Sequence, residues 1–274
     1  MGNRRLGRRR WKAVAGMPYG STGADEWGLV RPPMVPGFAR NIRVCSLSQA
    51  DGWGFEDMTD LPVDGQTTSI WLREDENSAA LALVANDADF TDGGITLTPG
   101  NGANDMCGLL MAAKVFNCDD DKPWWVETQF KLSDIDDCEL FFGVHESTYA
   151  TGTLLNDETA GASKDAVGFD KVTHSSGAIT TRASLNASEL TGTGITVTAD
   201  NDVVQLAIHW DGKGNCMFYG GFAATGTDVG TLPLLQTHAI QPDQAMGLTL
   251  QYVHTTGAAN DPITVNYIRG AWTI

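Results

Sequence analysis

The chain has 274 residues, 42% hydrophobic and 19% charged, a composition with room for one large domain or two small ones and able to bury a core. Its net charge of −16 is split: residues 1–43 hold nine Arg/Lys against Asp25 and Glu26, a balance of +7, and the rest holds nine Arg/Lys against 32 acids, a balance of −23. An acidic body repels phosphate and so argues against nucleic-acid binding through its main surface, while no apolar run approaches the ~20 residues of a membrane-spanning helix.

In chain order, residues 1–12 (MGNRRLGRRRWK) carry Arg4, Arg5, Arg8, Arg9, Arg10 and Lys12 and almost nothing that could be buried. Arg8-Arg9-Arg10 leads into Ala13-Val14-Ala15, but the apolar piece stops at Pro18, shorter than the roughly 7–15 residues of a secretion signal's apolar region. Prolines 18, 32, 33 and 36 then punctuate a segment that cannot build a core alone. Its apolar side chains, among them Trp11, Tyr19, Trp27 and Phe38, are spaced along it. Residues 1–43 are therefore expected to be an extended arm that docks on another protein surface, with the arginines, Trp11, Lys12, Tyr19, Trp27 and Phe38 as contact points. The arginines could instead pair with phosphates while Trp11 stacks on a base; the apolar anchors beyond them favour protein.

Residues 44–68 read as a transition. From Ser69 onward short apolar runs separated by Gly, Asp, Asn and Thr predict strands at 69–73, 79–85, 95–98 and 107–116. In Trp124–Val144 (WWVETQFKLSDIDDCELFFGV), Trp124, Val126, Thr128, Phe130 and Leu132 alternate with Trp125, Glu127, Gln129 and Lys131. A second apolar run follows the acidic Ser133–Asp137 connection. The pair is expected to form a hairpin at the centre of a sandwich.

Further strands are expected at 165–171, 178–184 and 194–198. The run from Val203 to Trp210, the turn Asp211-Gly212-Lys213-Gly214 and the run Asn215 to Tyr219 predict a tight hairpin, with Leu206, Ile208 and Trp210 on one face. A short helical turn is expected near Leu232 to Leu235, then strands at 246–254 and 262–273. Thirty-one glycines among turn residues and no long helical periodicity place the chain in the all-β class, as an antiparallel β-sandwich at 69–274 with an extended N-terminal arm.

Three patterns carry a resemblance: the Trp124–Val144 stretch, LAIHWDGKGNCMFYGG at 206–221 with its strand, Asp-Gly turn and strand, and ITVNYIRG at 263–270 as a closing strand. Together they resemble the concanavalin A-like, or laminin G-like, jelly-roll family over roughly residues 69–274. With the basic arm, the chain is similar to structural proteins of tailed-bacteriophage virions. That resemblance implies a non-enzymatic capsid decoration (cement) protein on the virion surface, assembled in the host cytoplasm. Its partners would be the major capsid protein or other virion subunits and further copies of itself. The other reading is a carbohydrate-binding module of a fibre or adhesin, with aromatics in the 145–163 loop or between Trp210 and Tyr219 against a glycan.

Chemistry is not announced by any motif. The related glucanases carry a Glu-x-Asp-x-x-Glu pattern that is absent here, and Asp134, Asp136, Asp137 and Glu139 fall in or beside a turn where carboxylates are solvated. His209 and His254 are expected on the outward, solvated side of their strands. Five scattered cysteines (45, 107, 118, 138, 216) without CxxC spacing argue against a zinc site or a disulfide framework and for buried thiols. The oxygen-rich loops Asn117–Asp121 and Asp134–Asp137 match no EF-hand and are expected to be solvated turns. Neither Gly93-Gly94 nor Gly100-Asn101-Gly102 brings the lysine of a phosphate loop. The sequon at Asn186 carries no weight without a secretion signal. No catalytic residue, metal or cofactor is expected.

Overall fold

The computed structural model describes residues 42–48, 71–75, 80–84, 89–90, 94–100, 105–111, 114–119, 122–146, 165–172, 176–185, 188–222, 232–239, 241–255 and 261–273. Fifteen strands are described: β1 (Ile42–Ser48), β2 (Trp71–Asp75), β3 (Ala80–Val84), β4 (Gly94–Thr98), β5 (Asp105–Met111), β6 (Trp124–Leu132), β7 (Cys138–His145), β8 (Ala166–Lys171), β9 (Ala178–Leu185), β10 (Ser188–Thr196), β11 (Val203–Trp210), β12 (Cys216–Phe222), β13 (Leu234–His238), β14 (Gly247–His254) and β15 (Ile263–Thr273). They form two antiparallel sheets. One runs β13-β12-β11-β6-β15-β4-β3 with β1 also on β15, and the other runs β10-β9-β8-β7-β14-β5-β2.

The core lies between the sheets because the apolar half of each alternation points there. Trp124, Val126, Phe130, Leu206, Ile208, Trp210 and Phe218 come from the eight-stranded sheet, and Leu140, Phe142, Phe169, Leu250 and Tyr252 from the seven-stranded one. Phe169 and Phe218 meet edge to face across the gap, 5.3 Å between centroids at 85°. Burying each such ring stabilises the fold by about 1.5–3 kcal/mol.

The two runs of Trp124–Val144 do not pair with each other. β6 lies between β11 and β15, whereas β7 lies between β8 and β14 in the opposite sheet. The connection is an arch that carries the chain across the sandwich. Period-two alternation marks which side of a strand is buried but not which strand lies beside it. An arch lets Phe130 and Phe142 face each other from opposing sheets, which a hairpin would place on one. Ser133 anchors its start, donating through N and Oγ to Pro262 O at 3.2 and 2.8 Å. Asp134 Oδ1 then accepts from the amides of Asp136 and Asp137, and Ile135 packs on the core.

Other differences are local. The helical turn expected at Leu232–Leu235 is replaced by β13, because Gly220 N donates to Pro233 O and β12 templates an extended chain from Leu234 on. The strand expected at 107–116 ends at Met111, and Phe116 makes an isolated bridge to Met246. Residues 42–48, at the junction of arm and transition segment, are strand β1, in register from Ile42 opposite Thr273 to Ser48 opposite Tyr267. The β11–β12 turn forms as expected: Gly212 and Gly214 take φ of 69° and 100°, and Asp211 caps it through Lys213 N and Asn215 N.

Candidate functional site on the outer face of the eight-stranded sheet

The side chains of β6, β11, β12 and β15 that turn away from the core make an unusual set. Register places Tyr219, Ala207, Glu127 and Arg269 in one row, Met217, His209, Trp125 and Ala271 in the next, and Gln205, Gln129 and Tyr267 in a third. A solvated sheet face would leave these wet, yet Glu127, Gln129, Gln205, His209, Tyr267 and Arg269 are each less than a tenth exposed. Trp125, Ala207, Tyr219 and Leu232 form a second, smaller apolar cluster on this side.

Polar contacts knit the rows together. Trp125 Nε1 donates to Glu127 Oε2 at 3.3 Å, and the Arg269 guanidinium stands 3.9 Å from Glu127 Oε1 while stacking on the Tyr267 ring at 4.1 Å. Gln205 Nε2 donates to Tyr267 Oη at 2.8 Å, and Asn266 Nδ2 to Gln129 Oε1 at 2.6 Å. Burial pushes the phenols of Tyr219 and Tyr267 up, so both stay protonated donors at neutral pH.

His209 stands apart within this set. It is 1% exposed, its ring lies 5.9 Å from Trp125, and neither nitrogen has a hydrogen-bond partner among the described residues. Burial pushes its pKa down to about 4, against a small upward pull from Asp211, so the imidazole is neutral near pH 7. The outward expectation for His209 is therefore right about the side and wrong about solvent. His254 is wrong on both counts: it shares the inner side of β14 with Leu248, Leu250 and Tyr252, 1% exposed and 3.5 Å from Asp261.

The outer face of the seven-stranded sheet is organised differently. Arg182 bridges Asp170 at 3.2 Å and Glu189 at 2.7 Å, and Thr180 Oγ1 donates to Asp170 Oδ1 at 2.5 Å. Charges that satisfy one another in this way are structural in the first instance.

The arm residues Arg4, Arg5, Arg8, Arg9, Arg10, Trp11, Lys12, Tyr19, Trp27 and Phe38 lie outside the described residues, as does most of the 145–163 loop. Of the aromatics between Trp210 and Tyr219, Trp210 and Phe218 belong to the inner core, Trp210 donating to Asp119 O at 3.1 Å; Tyr219 faces outward. Cys107, Cys118, Cys138 and Cys216 are buried, with the Cys138 thiol pushed up to about 11 chiefly by burial. Sequence alternation had put Glu127, Gln129 and Gln205 on this side, but the sequence held no signal that the side is buried.

No family model matches the chain, and no curated protein matches it. Solved structures do. A protein of unknown function from Shewanella oneidensis MR-1 superposes with a TM-score of 0.59 at 12% identity, covering 88% of this chain and 90% of that one. Winged bean acidic lectin, complexed with methyl-α-D-galactose, gives 0.52 at 12% identity over 85% and 98%. The chain has the concanavalin A-like jelly-roll fold. A carbohydrate esterase from the Shiga toxin-encoding bacteriophage phi24B is similar too, with a TM-score of 0.51 at 13% identity, covering 85% of this chain and all of that one. Identities this low speak for the fold alone.

Proposed function

We propose that this jelly roll is a non-enzymatic, lectin-like carbohydrate-binding protein whose ligand site is the outer face of the eight-stranded sheet. The observation that carries the reading is His209, buried beside Trp125 with neither nitrogen hydrogen-bonded among the described residues. A buried polar group without partners lowers stability by about 1–3 kcal/mol, and an apolar residue would fill the same place without that loss. A sugar hydroxyl both donates and accepts, so it suits either tautomer of the imidazole. Around it stand the other elements sugar recognition uses: the faces of Trp125 and Tyr219 for stacking, and the planar groups of Gln129, Gln205, Glu127 and Arg269 for hydrogen bonding. The fold, shared with a galactoside-complexed lectin, supports the same reading. Glu127 is the one carboxylate that the described strands bring to this face.

Because the face is buried, sugar entry must be coupled to its opening, and association should be slow compared with an open cleft. A glycan array probed with the full chain tests the reading, followed by Tyr219→Ala and Gln205→Ala. Binding that falls at least tenfold in both variants is the expected result. An array without a hit among neutral and acidic glycans would sink the proposal.

The charge division of the chain favours a second reading. An arm of +7 (residues 1–43) on a body of −23 fits a virion protein, a capsid decoration protein whose arm lies along neighbouring subunits through Arg4, Arg5, Arg8, Arg9, Arg10, Trp11, Lys12, Tyr19, Trp27 and Phe38. Deleting residues 1–41 leaves β1 whole. Undiminished co-sedimentation of that variant with tailed-phage heads would refute arm docking.

A further inference from the structure

Leu190, Phe222 and Leu234 are the exposed large apolar side chains among the described residues, at 41%, 52% and 54% exposure. All three belong to one end of the sandwich, on β10, β12 and β13. There the marginal strands of the two sheets approach each other, so that a Cβ on Gly192 of β10 would stand 2.8 Å from Gln236 of β13. β10 is exposed from Ser188 through Thr191 and pairs, among the described residues, only with β9.

Natural edge strands are usually guarded by lysine, proline or a bulge. β10 (SELTGTGIT) has no lysine or proline, and its register shift lies between Gly192 and Ile195, which leaves Ser188–Gly192 a regular five-residue ladder. The one charge in the strand, Glu189, is already held by Arg182 at 2.7 Å. Elsewhere the acidic body opposes the approach of another acidic body. This margin does not.

We propose that β10 is a homodimer interface, in which two copies pair antiparallel about a two-fold axis at Leu190 and continue the seven-stranded sheet from one subunit into the other. That register sets Leu190 against its own copy, Glu189 against Thr191 and Ser188 against Gly192. No like charges oppose each other, and the two exposed leucines cover one another, the self-complementarity that a two-fold contact requires. The nine residues of β10 and the five of β13 supply about half of the 20–30 residues on one side of a standard interface. Phe222 and Leu234 add apolar surface at its margin. The inference is independent of the carbohydrate reading.

The test is the mass of the full chain in solution by sedimentation equilibrium or light scattering across 1–100 μM (a range of order set by typical interfaces). A dimer is expected for the wild type. Leu190→Lys, which sets two lysines opposite each other, and Thr191→Pro, which removes a ladder donor, should halve the mass. Unchanged far-UV spectra and thermal midpoints would show that the variants fold. Leu190→Met should stay dimeric. Hydrogen exchange at residues 188–192 should slow as concentration rises in the wild type and not in Leu190→Lys. A monomeric wild type, or a dimer that persists in both disruptive variants with no protection at 188–192, overturns the proposal.

Discussion

His209 carries a pH dependence of definite sign. Its pKa is about 4 in the folded protein, against roughly 6.5 in the unfolded chain, so the unfolded state binds the extra proton between those values. Stability from this residue is intact above about pH 6.5 and is lost as pH falls toward 4, by on the order of 3 kcal/mol. Denaturant midpoints measured from pH 7.5 to 4.5 should fall steeply in the wild type. They should fall less in His209→Gln, which cannot titrate; equal slopes would contradict the assignment. Gly168 is sensitive for a steric reason. A Cβ there would stand 2.5 Å from the Phe141 ring and 2.9 Å from Phe142 O, both on the neighbouring strand β7. Gly168→Ala should lower stability by about 1–3 kcal/mol, and Phe141→Leu in the same chain should recover part of that loss in thermal melts. Neither position was legible in the sequence. Alternation showed which way His209 points, but solvent exposure depends on what covers a sheet, and nothing in the residues of a strand encodes its cover.

Strand positions were largely legible, because alternation and turn residues are local. β3, β4, β8, β9, β11, β14 and β15 fall within a residue or two of their expected spans, and the Asp211–Gly214 turn was readable from the two glycines that its positive φ values require. Pairing was not legible. β6 and β7 are consecutive, amphipathic and five residues apart, features that a hairpin and an arch share. The decision rests on which distant strands complete each sheet. The structure makes the arch testable at Ser133, whose hydroxyl and amide both bind Pro262 O. Ser133→Ala removes the side-chain bond and should cost about 1 kcal/mol in urea unfolding. A hairpin would leave that residue in a solvated turn, where the same change is close to neutral. β13 shows the converse problem: a Leu-Pro-Leu-Leu run has no strand alternation, and β12 imposes extension on it.

At the scale of the molecule, the fold was legible and the site was not. An all-β sandwich follows from many short strands with apolar faces, whereas the Trp125–Glu127–Arg269 face assembles from four strands that register alone brings together. Charge acts at this scale too. Wherever residues 1–41 engage acidic surface, on this body or on another protein, the contact is screened by salt. A peptide of residues 1–41 should bind the chain lacking them, and its affinity should fall at least tenfold between 50 and 300 mM NaCl, measured by calorimetry. Salt-independent binding would point to the apolar anchors alone.

The place of β15 has a consequence in time. This strand lies against β6 on one side and against β4 and then β1 on the other, and the Thr128 hydroxyl reaches Tyr267 O across 139 positions of sequence. During synthesis the seven-stranded sheet is complete once β14 has emerged, but the eight-stranded sheet then still has a gap at its middle. The nascent chain must hold β6 with one flank unpaired until residues 263–273 leave the ribosome, a late closure over long loops that slows folding and exposes strand edges. Arrested chains ending before residue 262 should therefore resist force poorly and recruit holding chaperones, and those extended past 273 should snap shut.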